Sequence, residues 1–519
     1  MSVRPMTRAG DFLKLSARRY PNRACFVFED GTQQTFAETN SRVNQLATAL
    51  QGRGIQKGDR IAIVSTDCGE YVELLLACMK IGATYVPLNN RLAEDEVRTL
   101  LDRAAPAALF LADRYLDLGL HASHGIESIR HRVAFTGASP HPQALPFADL
   151  LAEGSDVEPD VEISDDDILG LAFTSGTTGL PKGVLQPQRM IKTLVTNMSI
   201  DYEVQPDEFR YTASPIFHIA GQGMLFMHVW RGASSLILPQ FDADKVLDWM
   251  HSGRLTGLFL VPTMISMIVE HPRLNAGDFS SIGSIIYGGA PITPALLRRA
   301  IDGIGCGFIN AFGAATEGGL QTVLSSADHR RAAADSPHLL GSIGKAAYGV
   351  EVRIVDESGN DVPIGEVGEI ISRSDAVMAG YLEMPDKTAE SLRDGWFAGG
   401  DLGRVDADGY YYIEGRRTDM IIRGGENIYP AEIETIISAI DGISQVAVVG
   451  QPDDHWGETV VAFVTLTEAN AVSDHDIRQR CRAALATYKV PERVVILQEF
   501  PMNASGKILK RQLRAGQYR

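Results

Sequence analysis

A ten-residue segment that starts at Thr174 has the composition of a loop that surrounds phosphate oxygens. It reads TSGTTGLPKG and directly follows an apolar stretch, residues 168–173, that is expected to form a strand. Glycines let the backbone approach a ligand closely, hydroxyl and N–H groups donate hydrogen bonds, and Lys182 adds a positive charge. The spacing differs from GxxxxGK[ST], so this is not the phosphate loop of the common nucleoside triphosphatases. A flexible linker is the alternative, but linkers seldom follow a buried strand.

This segment resembles the phosphate loop of the acyl-adenylate-forming superfamily, which includes acyl-CoA synthetases, adenylation domains of peptide synthetases and luciferases. Further motifs support the resemblance from about residue 30 to the C-terminus. In chain order they are Tyr287-Gly288-Gly289-Ala290-Pro291, Thr316-Glu317, Trp396-Phe397 with Asp401-Leu402-Gly403, Gly415-Arg416, Arg423-Gly424-Gly425-Glu426-Asn427-Ile428-Tyr429-Pro430 and Ser505-Gly506-Lys507. Their order and compatible spacing make coincidence negligible.

The resemblance implies a binding site for ATP and magnesium. The residues it assigns to ATP are Thr174, Ser175, Gly176, Thr177, Thr178, Gly179, Lys182, Gly289, Ala290, Phe312, Asp401 and Arg416. Asp401 would bind the ribose hydroxyls. Three residues are implied to be catalytic: Thr316 meets the phosphate, Glu317 helps to hold Mg²⁺, and Lys507 lies between the α-phosphate and the carboxylate.

The resemblance also implies an acyl pocket and a mobile CoA-side loop. The expected pocket residues are His218, Gly221, Val261 and Gly288, and the expected CoA-side and hinge residues are Thr418, Gly424 and Gly425. Small residues at positions 220 and 221 suggest room for a chain or a bulky ring.

Each assignment has an ordinary structural alternative. Lys507 could be a solvated surface lysine, which is the usual position of lysine. Asp401 could cap a turn. Arg416 could pair with Asp419 or Glu414, an exposed interaction that contributes about 0–1 kcal/mol.

Two further positions keep alternatives open. His218 could be a buried histidine whose hydrogen bonds are satisfied, as readily as a gate of the acyl pocket. The family commonly has Tyr-Gly-x-Thr-Glu, whereas this chain is one residue longer between Phe312 and Thr316. Either Phe312 stacks on the adenine through a small bulge, or Gly313 takes that position and the stacking is lost.

The reaction implied is ATP-dependent activation of a carboxylic acid as an acyl-AMP, followed by transfer to CoA. Fatty, aryl and alicyclic acids all stay open as substrates. The alternatives are an adenylating enzyme with another acceptor and a nucleotide-binding sensor without catalysis.

Strand-like and helix-like segments alternate in the first part of the chain and position these motifs. The predicted strands are 24–29, 61–65, 85–88 and 107–112, and the predicted helices are 35–51, 71–81 and 93–103. Such alternation indicates βαβ units and mostly parallel sheets. Later apolar strands end in loops with Gly, Ser or Pro, and in such sheets ligands collect outside the carboxyl ends of strands.

The sequence therefore predicts an α/β fold with two domains. The large N-terminal domain, residues 1–416, combines mixed and parallel sheets flanked by helices with a β-rich subdomain, and carries the ATP and acyl sites. Residues 137–166 form a connector inside it. A small, mobile α+β C-terminal domain, residues 417–519, carries the catalytic lysine.

Composition excludes several other classes of protein. The 519 residues carry a net charge of −17, with 48 Lys and Arg against 65 Asp and Glu, which argues against bulk binding to nucleic acid or an anionic membrane. Five cysteines without regular spacing indicate a reducing compartment. No transmembrane segment or secretory signal is visible, so a cytoplasmic protein is expected. The oligomeric state is open, with a homodimer among the options.

Overall fold

A computed structural model describes residues 8–135, 141–174, 181–424, 426–453, 455–467, 472–502 and 508–515. Within these residues the strands form four sheets, which helices flank. No helix among them is both long enough and apolar enough to cross a bilayer. The architecture agrees with the predicted α/β class.

The first sheet has nine strands, and its central part is parallel. In spatial order the strands are Lys345–Ala346, Thr322–Leu324, Gly307–Phe312, Ser284–Gly288, Gly257–Leu260, Phe209–Thr212, Ser234–Ile237, Ala24–Phe28 and Gln33–Thr35. The six strands from Gly307–Phe312 to Ala24–Phe28 run parallel, while the outer ones pair antiparallel. Their carboxyl ends therefore lie along one edge.

The second sheet has eight strands with the same organisation. In spatial order they are Gly380–Tyr381, Lys182–Pro187, Ile168–Thr174, Thr84–Pro87, Arg60–Val64, Ala108–Leu111, His131–Ala134 and Leu145–Pro146. The last six are parallel, and Lys182–Pro187 folds back antiparallel on Ile168–Thr174. This hairpin places the two ends of the predicted phosphate loop side by side.

The third and fourth sheets are mainly antiparallel. The third contains Glu351–Val355, Gly368–Arg373, Trp396–Val405, Leu392–Arg393 and Tyr411–Arg416. The fourth contains Glu426–Ile428, Ile421–Arg423, Gly457–Leu466, Ile443–Asp453 and Arg493–Ile496. Every strand of the fourth sheet comes from the predicted C-terminal domain.

Helices cover the sheets. In the large part of the chain they are Phe12–Arg19, Phe36–Gly52, Gly69–Ile81, Glu94–Ala104, Leu116–Ala122, Phe147–Ala152, Gln188–Asp201, Ile219–Arg231, Ala243–His251, Pro262–Val269, Pro294–Ile304, Ser326–Ala334 and Pro385–Ser391. After residue 417 they are Pro430–Ser438, Asp474–Ala484 and Lys510–Arg514. Single 3₁₀ turns occur at Ala9–Asp11, Asp113–Tyr115, Leu274–Ala276, Pro337–Gly341 and Thr487–Lys489.

The helix Phe36–Gly52 begins where its sequence predicts. The Thr35 hydroxyl accepts a hydrogen bond from the Glu38 N–H at 3.2 Å, and the Glu38 carboxylate accepts one from the Thr35 N–H at 2.8 Å. Two of the unpaired N–H groups at the helix start are thereby satisfied.

The predicted connector contains a short strand and the helix Phe147–Ala152, and a buried lysine anchors it. The Lys80 Nζ donates to Asn40 and Asn44 at 2.7 Å and to the Glu158 carboxylate at 2.8 Å. A buried ammonium needs such partners because burial alone disfavours its charge. The connector is therefore part of the large domain's packing.

Candidate active site

Four expected acyl-pocket and adenine positions follow neighbouring parallel strands of the first sheet. Val261 follows Gly257–Leu260, Gly288 ends Ser284–Gly288, and Phe312 ends the next strand along the sheet. The strand Phe209–Thr212 on the other side leads into the segment that contains His218. These positions therefore lie along one edge of the sheet, where a ligand site is expected in an α/β fold.

The end of the strand Ser284–Gly288 requires two successive glycines, the first because of close backbone packing and the second because of its positive φ. A Cβ atom on Gly288 would lie 2.2 Å from the carbonyl oxygen of Ala311, and Gly289 has a φ of +80°. A Cβ on Gly289 would lie 3.9 Å from the Val261 side chain. Larger residues would displace this loop from the sheet edge, and Ala290 is exposed beside it.

His218 precedes the helix Ile219–Arg231, and its ring lies 4.5 Å from the Phe217 ring, centroid to centroid.

Gly221 lies in the first turn of the same helix and packs closely against the backbone that precedes the helix. A Cβ there would lie 2.3 Å from the Pro215 carbonyl oxygen and 2.6 Å from that of Ser214. The missing side chain allows close packing against this backbone, and the place of Gly221 in the acyl pocket stays a prediction.

The predicted phosphate loop begins and ends on a two-stranded hairpin. Thr174 and Lys182 are opposite each other in the antiparallel register, and the Thr174 hydroxyl is buried without a partner among the described residues. The predicted Ser175, Gly176, Thr177, Thr178 and Gly179 lie outside the described residues. A buried hydroxyl that lacks a partner is available to a bound ligand.

A tyrosine that the sequence did not single out holds Lys182. The lysine Nζ donates to the Tyr381 hydroxyl at 3.1 Å and lies 4.3 Å from the centroid of that ring. The Tyr381 hydroxyl and ring are the contacts of the Lys182 ammonium within the described part of the chain. A neutral aromatic partner fixes the ammonium through a cation–π contact, and the exposed Glu390 carboxylate interacts with it only at longer range.

The Thr316-Glu317 turn lies where three parts of the fold meet. The buried Gln186 of the second sheet donates its amide N–H to the Thr316 carbonyl at 3.1 Å. The Met378 N–H donates to the Glu317 carbonyl at 2.8 Å, and the Glu317 N–H donates to Ala314 at 2.9 Å. Backbone contacts therefore fix the turn and do not depend on the carboxylate.

The third sheet closes the other side of this turn. A Cβ on Gly318 would lie 2.3 Å from the Phe397 ring, and one on Gly313 would lie 2.3 Å from the Gly319 carbonyl oxygen. No side chain fits at position 313, and the half-buried Phe312 is the aromatic at the strand end.

The donor set around the turn fits a nucleotide-bound magnesium ion. Among the described residues no group of three or more His, Cys, Asp or Glu side chains could form a closed metal site. Mg²⁺ that binds with a nucleotide generally uses one or two carboxylates together with phosphate oxygens and water. Glu317, whose turn is bonded to the strand Lys182–Pro187 through Gln186, is the carboxylate expected to meet that requirement.

The expected ribose ligand and the expected junction arginine pair with each other. Asp401 and Arg416 are opposite residues on adjacent strands, and the Arg416 Nε donates to the Asp401 carboxylate at 2.9 Å. The two alternative partners are engaged elsewhere, since Glu414 binds Arg404 at 2.9 Å and Asp419 binds Arg514 at 3.0 Å. The tertiary pairing thus joins two residues that the sequence assigned to one nucleotide.

The predicted hinge residue, Thr418, comes two residues after Arg416 in the chain. Thr418 lies in an exposed turn, next to Arg417, whose N–H donates to the Gly400 carbonyl at 2.8 Å. Gly424 has a φ of +60° and donates its N–H to the Trp456 carbonyl at 2.8 Å. A positive φ favours glycine there.

Two of the predicted C-terminal residues, Gly425 and Lys507, lie outside the described residues. Met502 and Ile508, on either side of the segment that contains Lys507, form an antiparallel bridge.

Sequence reasoning missed Asp67 as well as Gln186 and Tyr381. Asp67 comes three residues after the strand Arg60–Val64, so the rule about carboxyl strand ends could have identified it. Burial raises the pKa of its carboxyl group to about 7, although the Ile216 N–H acts in the opposite direction. Gln186 and Tyr381 gave no comparable signal, because only the packing brings them to the site.

The raised pKa of Asp67 predicts a pH-dependent stability. Between pH 4 and 7 the folded protein holds a proton on Asp67 that the unfolded chain releases, so this group reduces stability as the pH rises through that window. An asparagine keeps the acceptor oxygen and removes the charge. We expect the melting temperature of Asp67→Asn, relative to the unchanged protein, to be several degrees higher at pH 8 than at pH 5. A difference that stays constant with pH would contradict this expectation.

The contact between Gln186 and Thr316 predicts a specific kinetic defect. Gln186→Met retains the size of the side chain but leaves the Thr316 carbonyl without its donor, which costs about 1–3 kcal/mol at a buried site. We expect an increase of about tenfold in the KM for ATP and in the Mg²⁺ concentration for half-maximal rate. Both are measured by pyrophosphate release.

The chain supplies a matched control for this experiment. Gln188 is equally buried, two residues further on, and its amide atoms have no partner among the described residues. Gln188→Met should leave both parameters unchanged. Equal effects of the two substitutions would remove Gln186 from this role.

Comparisons with known proteins agree with this geometry. Residues 13–382 match the family model described as AMP-binding enzyme, and residues 432–507 match the AMP-binding enzyme C-terminal domain. A feruloyl-CoA synthase from an Amycolatopsis species is 36% identical over 499 residues, covering 96% of both chains. The long-chain-fatty-acid–CoA ligase FadD13 of Mycobacterium tuberculosis is 33% identical over 513 residues, covering 98% of both. The anthranilate CoA ligase AuaEII in complex with anthranoyl-AMP matches with a TM-score of 0.89 and 25% identity, covering 99% of this chain and 97% of that one.

Proposed function

Because the chain belongs to the AMP-binding enzyme family, we propose that it activates a carboxylic acid with ATP and then transfers the acyl group to CoA. The chain is an AMP-forming acid–thiol ligase. In the first step a carboxylate oxygen attacks the α-phosphate of ATP, which forms acyl-AMP and releases pyrophosphate. In the second step the CoA thiol attacks the acyl carbon and displaces AMP.

One observation carries this proposal at the level of the site. The hairpin of Ile168–Thr174 and Lys182–Pro187 belongs to the second sheet, whereas the Thr316-Glu317 turn follows the strand Gly307–Phe312 of the first. The Gln186 amide joins them through a 3.1 Å hydrogen bond. A phosphate-binding loop beside a carboxylate is the arrangement that nucleotide–magnesium binding requires.

Charge neutralisation is the main task of the first step, because the carboxylate and the triphosphate repel each other. Lys182, held by Tyr381, supplies positive charge to the departing phosphates. Glu317 and the phosphates would hold Mg²⁺, which withdraws negative charge from the triphosphate when bound. We propose that Lys507 supplies the remaining charge between the α-phosphate and the attacking carboxylate. Such positioned charges act most strongly where water is excluded.

The nucleotide's ribose would compete with Arg416 for Asp401. The Asp401 side chain is 14% exposed and that of Arg416 is 55% exposed, so the arginine can rotate away while the carboxylate stays in place. We propose that ribose hydroxyls then donate to Asp401. Phe312 is the aromatic residue available for contact with the adenine.

The walls expected for the acid are small and apolar. Of the expected pocket residues, Gly221, Val261 and Gly288 are small or apolar and His218 is the one titratable side chain, so a second carboxylate on the substrate would have only that imidazole as a partner among them. This favours a monocarboxylic acid with an apolar body. A feruloyl-CoA synthase and a long-chain-fatty-acid ligase among the relatives support aryl and fatty acids as the first to test.

The two half-reactions need different groups at one centre, which supports a domain movement. We propose residues 1–416 and 417–519 as the two domains, with Thr418 at the hinge. Rotation would withdraw Lys507 after adenylation and bring the loop at Gly424 and Gly425 to the pocket for thioester formation.

A panel of carboxylic acids tests the function. The protein is incubated with ATP, Mg²⁺ and one aryl, fatty or alicyclic acid, and pyrophosphate is measured with and without CoA. We expect acid-dependent pyrophosphate release and, with CoA, equal amounts of acyl-CoA and AMP.

The other outcomes identify the alternatives. Acyl-AMP formation without any thioester from CoA would indicate another acceptor. ATP binding without pyrophosphate release for any acid would indicate a sensor and overturn the proposal.

A further inference from the structure

We propose that Asp67 is a positioning residue for the carboxylic-acid pocket, since its carboxylate holds the segment 214–218 by the backbone of Ile216. This inference rests on the proposed function, because it concerns the substrate of that reaction. Asp67 belongs to the second sheet's loops, whereas the segment follows a strand of the first sheet. The contact therefore fixes the position of the segment 214–218, beside the expected pocket, relative to the second sheet.

Side chains hold both polar groups of the Ile216 backbone. The Ile216 N–H donates to Asp67 at 3.0 Å, and the Ile216 carbonyl accepts from the Gln222 amide at 2.8 Å. Regular secondary structure satisfies most backbone groups, but this segment has neither strand nor helix at Ile216. Its position thus depends on these two side chains.

The fixed segment leads directly to the expected pocket residues. Phe217 and His218 follow Ile216, and the His218 N–H donates back to the Pro215 carbonyl at 2.9 Å. The tight packing of Gly221 against Pro215 links the segment to the helix Ile219–Arg231. A shift at Ile216 would therefore move the two rings and the start of that helix together.

Asp67 is anchored independently of the segment that it holds. Its own N–H donates to the Pro239 carbonyl at 3.3 Å, in the chain that follows the strand Ser234–Ile237. The Asp67 backbone is thereby tied to a second loop, while its carboxylate binds a third. All three loops lie at carboxyl ends of strands, where ligands bind in this class of fold.

Asp67 and Ile216 both line a small cavity. Its other lining residues include Thr212, His228 and Ser235. His228 binds Ser235 at 2.9 Å, while the Thr212 hydroxyl is buried and has no partner among the described residues. Without the Asp67 acceptor, the Ile216 N–H would face a space into which the segment can move.

The test compares three variants. Asp67→Leu removes the acceptor, and Asp67→Asn retains an acceptor oxygen at the same distance. Asp406→Leu is the control: Asp406 accepts two backbone N–H groups at 2.9 and 3.0 Å and the Tyr412 hydroxyl at 3.0 Å, in a turn of the third sheet that contains none of the expected pocket residues. KM values for the acid and for ATP are measured by pyrophosphate release, together with melting temperatures.

We expect Asp67→Leu to raise the KM for the acid about tenfold and to leave the KM for ATP within twofold, since a lost buried hydrogen bond has an effect of that size. The increase should be greater for the largest acid that the protein activates than for the smallest. Asp67→Asn should restore the acid KM. Asp406→Leu should lower the melting temperature without changing either KM.

Two results would overturn the inference. One is an unchanged acid KM in a folded Asp67→Leu protein, and the other is an equal increase in both KM values. Neither result can be confused with failure of the proposed function, because that failure appears as a lack of acid-dependent pyrophosphate release in the unchanged protein.

Discussion

Lys507→Ala is expected to reduce acid-dependent pyrophosphate release about 1000-fold or more, because it removes the charge that we place between the attacking carboxylate and the α-phosphate. Both reacting groups are anions, and the described part of the site supplies Lys182 for the departing phosphates only. The second half-reaction should respond differently. Thioester formation from supplied acyl-AMP and CoA should stay measurable, because no triphosphate is present in that step.

Lys510→Ala is the control for this variant. Lys510 lies in the same terminal segment, but its ammonium binds the Glu434 carboxylate at 2.8 Å. The control should retain most of the pyrophosphate release. Normal release from the Lys507→Ala protein, or an equal loss in both half-reactions, would remove Lys507 from its proposed role.

The second large effect is expected for Glu317→Gln. Glutamine has the same shape but lacks the negative charge that a magnesium ligand supplies. We expect pyrophosphate release to fall about 100-fold and the Mg²⁺ concentration for half-maximal rate to rise. The turn should retain its conformation, because Met378 and Ala314 hold it through the Glu317 backbone.

Melting curves of the Glu317→Gln protein check that expectation. The exposed Glu357, in a turn of the third sheet, provides a charge-matched control as Glu357→Gln. An unchanged Mg²⁺ requirement in Glu317→Gln would show that another group holds the metal.

The two expectations depend on different parts of the site. The first concerns a residue that the sequence resemblance alone assigns, since Lys507 lies outside the described residues. The second concerns a turn whose position the described contacts define. If Glu317→Gln behaves as expected and Lys507→Ala does not, the proposed nucleotide–magnesium site is supported. Another residue must then supply the positive charge next to the substrate carboxylate.

Local patterns predicted the elements well where a short stretch contains the whole signal. The capping box at Thr35 lies within four residues, and the helix Phe36–Gly52 starts there. The helix predicted at 71–81 instead begins at Gly69. The sequence gives no sign of this start, because glycine is a poor helix former. The close approach of Gly69 to the Phe28 ring is a tertiary contact.

Some interpretations of individual residues needed the packing. Small size at Gly221 suggested space, but the backbone of Pro215 occupies that space. Arg416 has acidic neighbours in sequence, yet it binds Asp401, fifteen residues away. Composition near a residue does not reveal which chain segment will pack against it.

The sequence by itself determined the family of this protein and the chemistry proposed for it: a predicted phosphate loop, a Thr-Glu pair and further motifs stand in a fixed order, and each needs particular residue types within a few positions. Tertiary structure alone decided how these segments meet. The contact of Gln186 with Thr316 joins residues 130 apart, and that of Asp67 with Ile216 joins residues 149 apart. Such contacts depend on strand order, on register and on the packing of two sheets, which no short segment of the chain contains.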